Sequence, residues 1–165
     1  MLPDKVRRVL DAHNLQAIEF EEGSTPTSVL AAQKLGVAVG NIAKSLLFLG
    51  KDGKYRLLVC PGDRKVSNAK LKAATGVKSR MATAEETLAA TGFKPGGVCP
   101  FALEGIEILL DQSLADYGTL YPAAGTDSSG VPLDFETLKR ITGGRLCDCT
   151  DPASDSKARP NGAGK

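Results

Sequence analysis

Two apolar segments separated by a short turn place the strongest constraint on how this chain folds. The first runs from Leu46 to Leu49 and the second from Tyr55 to Cys60, with a glycine-rich turn from Gly50 to Gly53 between them. Glycine supplies the backbone conformations that tight turns need, so this pattern predicts a β-hairpin. Lys44, just before the first strand, is therefore expected near the open end of a sheet.

Lys44 is the most informative residue of this hairpin. Apolar residues flank it on both sides within the segment from Gly40 to Leu49. A lysine that enters a buried strand either extends its amine to water or faces a polar cavity. The first alternative is a solvated strand end, since charged residues are rarely buried without a partner. The second puts a positive charge on a pocket wall, where it could hold a phosphate or a carboxylate.

A loop with unusual backbone chemistry extends from Gly96 to Phe101. It opens with Gly96 and Gly97 and closes with Pro100 before Phe101. Glycine has no Cβ, so its backbone groups can approach a ligand closely. The loop therefore favours the cavity alternative for Lys44.

Composition limits the classes of function. The chain has 165 residues, 42% hydrophobic and 24% charged, which is typical of one globular domain with a real core. The net charge of +2 gives no strong field toward DNA or membranes, and five Phe, three Tyr and no Trp argue against a stacking platform for single strands. No signal peptide is recognisable, and no apolar run approaches the roughly 20 residues of a membrane helix. We therefore expect a cytoplasmic protein without a membrane partner.

The cysteines do not indicate a metal site or a cofactor. Cys60 ends an apolar run and is expected in the core. Cys147 and Cys149 have one residue between them, which is poor spacing for zinc, and the lone His13 is far away in sequence. Cys99 could act as a nucleophile in the glycine loop, but no histidine is available to activate it, so a packing role is the alternative.

Helix and strand patterns interleave without a regular βαβ repeat, which predicts an α/β domain around a mixed, largely antiparallel sheet. Helix starts are marked by Ser67, by a capping box from Thr83 to Glu86, and by Asp134. Further strands are predicted at Ile106–Asp111, Tyr117–Tyr121 and Arg145–Cys149. We expect one domain over residues 1–149.

The composition of residues 150–165 is dominated by Asp, Pro, Ser, Ala, Asn and Gly. Such a segment cannot bury enough apolar surface to order itself, so it is predicted to be a flexible tail.

Basic residues cluster after the hairpin. One interpretation is an ordinary solvated surface, and the other is a phosphate-facing rim that contacts a nucleic-acid backbone without reading sequence. The cluster contains Arg64, Lys65, Lys70, Lys72, Lys78 and Arg80.

An ordered series of short motifs resembles the YbaK/prolyl-tRNA-synthetase-associated editing domain family. The resemblance covers roughly Thr25 to Thr142, and the order of the motifs makes it specific. The motifs are Ile42-Ala43-Lys44-Ser45-Leu46, Gly62-Asp63-Arg64, Thr91-Gly92, Gly96-Gly97-Val98-Cys99-Pro100-Phe101, Asp111-Gln112-Ser113-Leu114 and Gly125.

The resemblance implies a fold and an activity. The fold is a mixed sheet curled into a barrel-like core with flanking helices. The activity is hydrolysis of mischarged aminoacyl-tRNA, with alanyl- or cysteinyl-tRNA(Pro) the best-known substrates. Lys44 matches the lysine that engages the 3′-terminal adenosine or its phosphate, and Gly96 to Pro100 matches the loop that shapes the aminoacyl pocket.

By this resemblance the expected site has three groups of residues. The catalytic group is Lys44, Gly96, Gly97 and Pro100. The substrate-binding group is Ile42, Ser45, Val98, Cys99, Phe101, Gly125 and Thr126. The tRNA-binding group is Arg64, Lys65, Lys70 and Arg80.

No Ser-His-Asp set is present, so the expected chemistry needs no side-chain nucleophile. An ester is already labile, and preorganised backbone dipoles with a positioned water can suffice. Some family members carry a histidine near the position of Gly125 to Asp127, and this chain has none there.

Three hypotheses follow for the function. The first is a trans-acting aminoacyl-tRNA deacylase that binds the 3′ acceptor end, with a synthetase or an elongation factor as a further candidate partner. The second is a non-catalytic module that binds a tRNA end or a synthetase. The third is a small-molecule esterase, which the basic cluster disfavours.

Overall fold

The computed structural model describes residues 1–153 of the chain. Its α-helices are Asp4–Ala12 (α1), Ser28–Leu35 (α2), Asn68–Thr75 (α3), Ala84–Thr91 (α4) and Phe135–Thr142 (α5). The predicted caps are confirmed, since the side chains of Ser67, Thr83 and Asp134 each accept a first-turn amide. Within residues 1–153, no helix has both the length and the apolar character to cross a membrane.

The strands form one central sheet and two small pairs. The strands are Ile18–Glu19 (β1), Ala43–Gly50 (β2), Tyr55–Pro61 (β3), Arg64–Val66 (β4), Ser79–Met81 (β5), Glu107–Asp111 (β6), Ser129–Gly130 (β7), Arg145–Cys147 (β8) and Thr150–Pro152 (β9). The central sheet has the order β5-β2-β3-β6-β8, while β1 pairs with β7 and β4 with β9. The predicted hairpin is the antiparallel β2–β3 pair.

The sheet is mixed, as predicted, but it is not closed into a barrel. Strand β2 is antiparallel to β3 and β5, whereas β6 is parallel to β3 and β8. The two outer strands, β5 and β8, are three residues long and do not pair with each other. The chain after β8 pairs with β4 instead of returning to β5, so the barrel-like core that the resemblance implied is wrong.

Each face of the central sheet is covered by helices. Leu47 and Val59 belong to the main apolar cluster, which includes residues of α1 and α5. Phe48 and Leu58 point to the other face, where α3 packs. Because alternate residues of a strand point to opposite faces, burial on both sides explains the continuous apolar runs of the hairpin.

One predicted strand, Tyr117–Tyr121, is wrong. Its residues form two isolated bridges, Leu120 with Leu133 and Tyr121 with Ile42. The segment is followed by Pro122, which has no backbone N–H to continue a ladder. The chain therefore touches the sheet at single residues only.

Strand β9 lies in the segment that was predicted to be a flexible tail. Its first residue, Thr150, is fully buried, and its hydroxyl donates to the Asp111 carboxylate at 2.9 Å. Polar composition hid this strand, because hydrogen bonds rather than apolar burial hold it. The rest of the predicted tail, from residue 154, lies outside the described residues.

Candidate functional site

A cavity of about 230 Å³ lies beside the first half of β2. Its walls also come from the start of α2, from the glycine loop and from the chain on either side of Pro122. The lining residues are Thr25, Pro26, Thr27, Ser28, Ala31, Ile42, Ala43, Lys44, Ser45, Leu46, Gly96, Val98, Tyr121, Ala123 and Ser129.

Lys44 is half-buried on the wall of this cavity. Its Nζ donates a hydrogen bond to the main-chain carbonyl of Arg64 at 2.8 Å. An ammonium has three N–H donors, so this bond positions the side chain and leaves donors for a ligand. The structure thus places Lys44 beside a cavity and not at a fully solvated strand end.

The electrostatics of the cavity favour an anionic group. Among the described residues that line the cavity, Lys44 alone has a charged side chain. The amino-terminal end of α2 also lines the wall, with Thr27 as its cap. Helix amino termini carry a partial positive charge. Lys44 and the start of α2 therefore both stabilise an anionic group in the cavity.

Close packing explains the glycines of the loop. Gly96 has φ 93°, and a Cβ there would come within 3.3 Å of Pro26. A Cβ on Gly97 would meet the backbone of Thr126 at 2.9 Å. Gly125 has φ 90° and little space beside Phe93. The two glycine-containing segments therefore lie against each other, which holds Gly96 and Val98 at the cavity.

The structure does not bring every expected residue to the cavity wall. Ile42, Ser45 and Val98 line it, together with Lys44 and Gly96. The remaining expected residues are not among those that line the cavity, and Pro100 and Phe101 line a different groove. The residues outside the lining are Gly97, Cys99, Pro100, Phe101, Gly125 and Thr126.

Cys99 is a core residue. Its side chain is fully buried in the main apolar cluster, and its Sγ lies 3.8 Å from the carbonyl oxygen of Phe101. Burial raises the pKa of the Cys99 thiol to about 12, so it is protonated at neutral pH. This position supports the packing alternative and not the nucleophile.

The hydroxyl groups around the cavity differ in their hydrogen bonding. Thr25 Oγ1 accepts the Ser129 amide at 3.2 Å, and Ser129 Oγ accepts the Ala124 amide at 3.0 Å. Ser45 Oγ is buried and has no partner within residues 1–153. Ser45 is thus a place on the wall where hydrogen-bonding capacity is unused.

Half of the predicted basic cluster, Arg64, Lys70 and Arg80, is engaged within the protein. Lys70 forms ion pairs with Asp148 and Asp151, and Arg80 pairs with Glu86. The Arg80 guanidinium lowers the pKa of Glu86 to about 2. Lys65 is exposed on β4, beside Arg64.

Arg64 has a second role, in positioning the lysine. Its Nε donates to Thr150 Oγ1 at 2.7 Å, which fixes β4 against β9. The Arg64 carbonyl, which accepts the hydrogen bond from the Lys44 amine, is therefore held in place by the contact between β4 and β9.

Sequence reasoning missed the walls that come from distant segments. The sequence analysis does not place Thr25 to Ser28, Ala31 or Ser129 at the site, and it places Tyr121 in a strand. The cap residue Thr27 was the available local signal, since threonine favours helix starts. Nothing in that local pattern could show which strand the segment would face.

The described residues around the cavity carry few kinds of polar group. Within residues 1–153, no group of three or more His, Cys, Asp or Glu residues is arranged to hold a metal. The single histidine, His13, is exposed and lines a different groove, near Phe101. The groups that the described residues present to the cavity are backbone groups, hydroxyls and the Lys44 ammonium.

This chain belongs to the aminoacyl-tRNA editing domain family, whose sequence profile matches residues 22–141. The family predicted from the ordered motifs is confirmed. The Bacillus subtilis (strain 168) protein "Uncharacterized protein YwhH" is 42% identical over 125 residues, 75% of this chain and 79% of that protein.

Two further similarities concern proteins whose names state an activity. The Enterococcus faecalis "Putative Cys-tRNA(Pro)/Cys-tRNA(Cys) deacylase EbsC" is 25% identical over 148 residues, 87% of this chain and 90% of that protein. The crystal structure of a "putative trans-editing enzyme for prolyl tRNA synthetase" matches with a TM-score of 0.81 at 32% identity, covering 92% of this chain and 99% of that chain.

Proposed function

We propose that this protein hydrolyses mischarged aminoacyl-tRNA in trans, acting in the cytoplasm on small amino acids such as alanine or cysteine on tRNA(Pro). The observation that carries the proposal is the shared cavity of Lys44 and the Gly96 loop in a member of the editing-domain family. The names of the two relatives, a Cys-tRNA(Pro) deacylase and a trans-editing enzyme for prolyl tRNA synthetase, support it.

Ester hydrolysis requires few groups in such a cavity. A water oxygen bonds to the ester carbonyl carbon, the bond from that carbon to the ribose oxygen breaks, and the ribose oxygen takes the proton from water. The Lys44 ammonium holds the phosphate or the ribose of the terminal adenosine. Fixed backbone donors stabilise the negative charge that develops on the carbonyl oxygen.

Selection by size is the proposed basis of substrate choice. A tight pocket rejects larger side chains sterically, and a hydrophobic pocket discriminates one methylene by roughly 10- to 200-fold. The preference for alanyl and cysteinyl groups is proposed from the family resemblance and from the name of the Cys-tRNA(Pro) deacylase relative. Leucyl- and phenylalanyl-tRNAs are the species that test it.

The basic residues that follow the hairpin supply a weaker contact with the tRNA backbone. Lys65 is exposed, while Arg64, Lys70 and Arg80 are held by internal partners. Phosphate contacts of this kind raise affinity without reading sequence, and salt weakens them. The choice of tRNA(Pro) then depends on the acceptor end or on a synthetase partner.

Single-turnover hydrolysis across a panel of aminoacyl-tRNAs tests the function. The panel holds alanyl-, cysteinyl- and seryl-tRNA(Pro), with prolyl-, leucyl- and phenylalanyl-tRNAs as controls. We expect hydrolysis of at least one of the small mischarged species with EDTA present. Binding without hydrolysis across the whole panel would identify a tRNA-end binding module instead.

A further inference from the structure

One edge of strand β2 is open along the cavity. Strand β3 pairs with β2 from Ala43 to Leu49, whereas β5 pairs with it only from Phe48 to Gly50. The edge opposite β3 is closed at two points. The Ala43 amide donates to the Tyr121 carbonyl at 3.3 Å, and the Leu47 carbonyl accepts the Ala82 amide at 2.9 Å.

Ser45 lies midway between these two closed points. In an antiparallel strand, alternate residues direct their backbone N–H and C=O to the same edge. The bonds of Ala43 and Leu47 define that edge, so both backbone groups of Ser45 point to it and away from β3. Neither group bonds to another backbone segment within residues 1–153.

The cavity occupies the missing partner's place. Five consecutive residues, 42 to 46, line the cavity. Consecutive residues of a strand point to opposite faces of the sheet. All five can line one cavity only if that cavity runs along the edge of the strand. Beyond Tyr121 the chain turns away, since the Pro122 carbonyl accepts the Val131 amide at 2.8 Å. Ser45 Oγ is buried, so backbone and Cβ form the part of half-buried Ser45 that reaches the cavity.

An aminoacyl ester matches this gap. Its α-ammonium and its carbonyl flank one carbon, as the N–H and C=O of a single residue do. In a hydrogen-bonded antiparallel pair, two residues exchange both of these bonds. An unpaired strand edge can bind an added strand through backbone hydrogen bonds. Because only Ser45 is unpaired at this edge, there is space for a strand of one residue.

We propose that the aminoacyl group of the substrate pairs with Ser45 as a one-residue strand. The Ser45 amide donates to the ester carbonyl oxygen, and the Ser45 carbonyl accepts from the α-ammonium. This inference rests on the proposed function and adds the residue that polarises the ester. The amide is a catalytic group, because its bond strengthens as negative charge develops on the carbonyl oxygen during attack by water.

The pairing binds the α-ammonium and the carbonyl, which all aminoacyl groups share. The amino-acid side chain contacts the cavity walls. The pairing also separates aminoacyl esters from simple acyl esters. A propionyl group has the size of an alanyl group but has no α-ammonium for the Ser45 carbonyl. Loss of one charge-assisted hydrogen bond is expected to weaken binding by roughly tenfold or more.

Nuclear magnetic resonance tests the pairing without requiring catalysis. The probe is 3′-deoxy-3′-(L-alanylamino)adenosine, whose amide replaces the labile ester, titrated into nitrogen-15-labelled full-length protein. We expect the Ser45 amide proton to shift downfield and to exchange more slowly with solvent. The 3′-propionylamino analogue should bind roughly tenfold more weakly. A Ser45 amide signal that stays unchanged at the highest probe concentration overturns the proposal.

A matched pair of proline variants tests the same amide in the reaction. Ser45→Pro removes an N–H that the β2–β3 ladder does not use, which an open edge can accommodate. Met81→Pro is the control, because by the same alternation its N–H points to the outer edge of β5, away from the cavity. We expect Ser45→Pro to lower single-turnover deacylation by roughly a hundredfold and Met81→Pro to lower it less than about threefold. Equal rates for the two variants contradict the pairing.

The outcomes separate this inference from the function on which it rests. If Ser45→Pro does not fold, incorporation of the α-hydroxy analogue of serine at position 45 removes the same N–H without a ring. Wild-type hydrolysis with an unaffected position-45 variant refutes the pairing and keeps the deacylase. Absence of hydrolysis by the wild type refutes the deacylase, and the Ser45 amide shift still decides the pairing.

Discussion

Asp111 and Ser45 are polar residues on strands of the same sheet, and their surroundings are opposite. The buried Asp111 carboxylate accepts the Cys149 amide at 2.7 Å and the Thr150 hydroxyl at 2.9 Å, and it also accepts both the amide and the hydroxyl of Ser113. At Ser45 the hydroxyl has no partner within residues 1–153, and the backbone groups face a cavity. A buried polar group with a full set of partners organises the fold, whereas backbone groups left without partners at a cavity are available to a ligand.

The largest expected effect is on stability, at Asp111. Asp111→Ala leaves several buried donors unsatisfied and should lower the free energy of unfolding by about 3–4 kcal/mol. Asp116→Ala, at an exposed residue nearby, is the matched control. Urea denaturation measures both. A loss below about 1 kcal/mol for Asp111→Ala would contradict the claim that the Asp111 hydrogen bonds stabilise the fold.

Gly96→Val tests the cavity side. The new side chain meets Pro26 at a positive φ, so the loop must move or the cavity must fill, and we expect deacylation to fall by roughly a hundredfold. Gly105→Val is the control, since Gly105 has φ 71° with open space around its Cβ position. Similar activity losses in both variants would show that backbone strain alone is responsible.

Lys44→Ala removes the one charged side chain that residues 1–153 contribute to the cavity wall. A charge-assisted contact of about 1.5–3 kcal/mol corresponds to a loss of roughly tenfold to a hundredfold in single-turnover deacylation. The melting temperature should change little, and Lys44→Arg should restore activity only in part, because a planar fork does not reproduce a compact ammonium. A folded Lys44→Ala protein with wild-type rates would contradict the assigned role.

Cys99→Ala separates packing from thiol chemistry. Because the Cys99 side chain is buried in the main apolar cluster and does not line the cavity, we expect activity within about twofold of wild type and a stability loss of about 1 kcal/mol. The folded-state pKa of about 12 exceeds the unfolded value of about 8.5, so the unfolded chain loses the proton first and stability decreases above about pH 8.5. Cys99→Ala should decline less between neutral and alkaline pH. A folded but inactive Cys99→Ala protein would favour a nucleophilic thiol.

The smallest expected effect is at the Ser45 hydroxyl. Ser45→Ala removes a buried hydroxyl that has no partner, so stability should stay unchanged or rise by up to about 1 kcal/mol. Urea denaturation should thus show a loss of stability for Asp111→Ala and none for Ser45→Ala. A stability loss for Ser45→Ala comparable to that for Asp111→Ala would show that the Ser45 hydroxyl also stabilises the fold, against the comparison.

Local chemistry made much of this fold predictable. The hairpin and the caps at Ser67, Thr83 and Asp134 depend on residues a few positions apart, and the structure confirms them. The position of Lys44 at the hairpin's open end follows from the same short-range pattern.

Long-range contacts explain what the sequence could not show. Thr150 pairs with β4 through hydrogen bonds that composition does not reveal, and Tyr117–Tyr121 has a strand-like pattern but no continuous partner. Closure of the sheet into a barrel was expected from the family resemblance alone. The sheet stays open because β8 does not pair with β5 and β9 pairs with β4. The open edge at Ser45 depends on where the chain turns at Pro122, far away in sequence.

The pairing of β9 with β4 ties the C-terminal end of the described fold to the position of Lys44. Thr150 receives the Arg64 side chain, and the Arg64 carbonyl receives the lysine amine. A substitution that displaces β9 therefore also disturbs the strand whose carbonyl anchors the lysine, whereas none of the described residues of α1 lines the cavity.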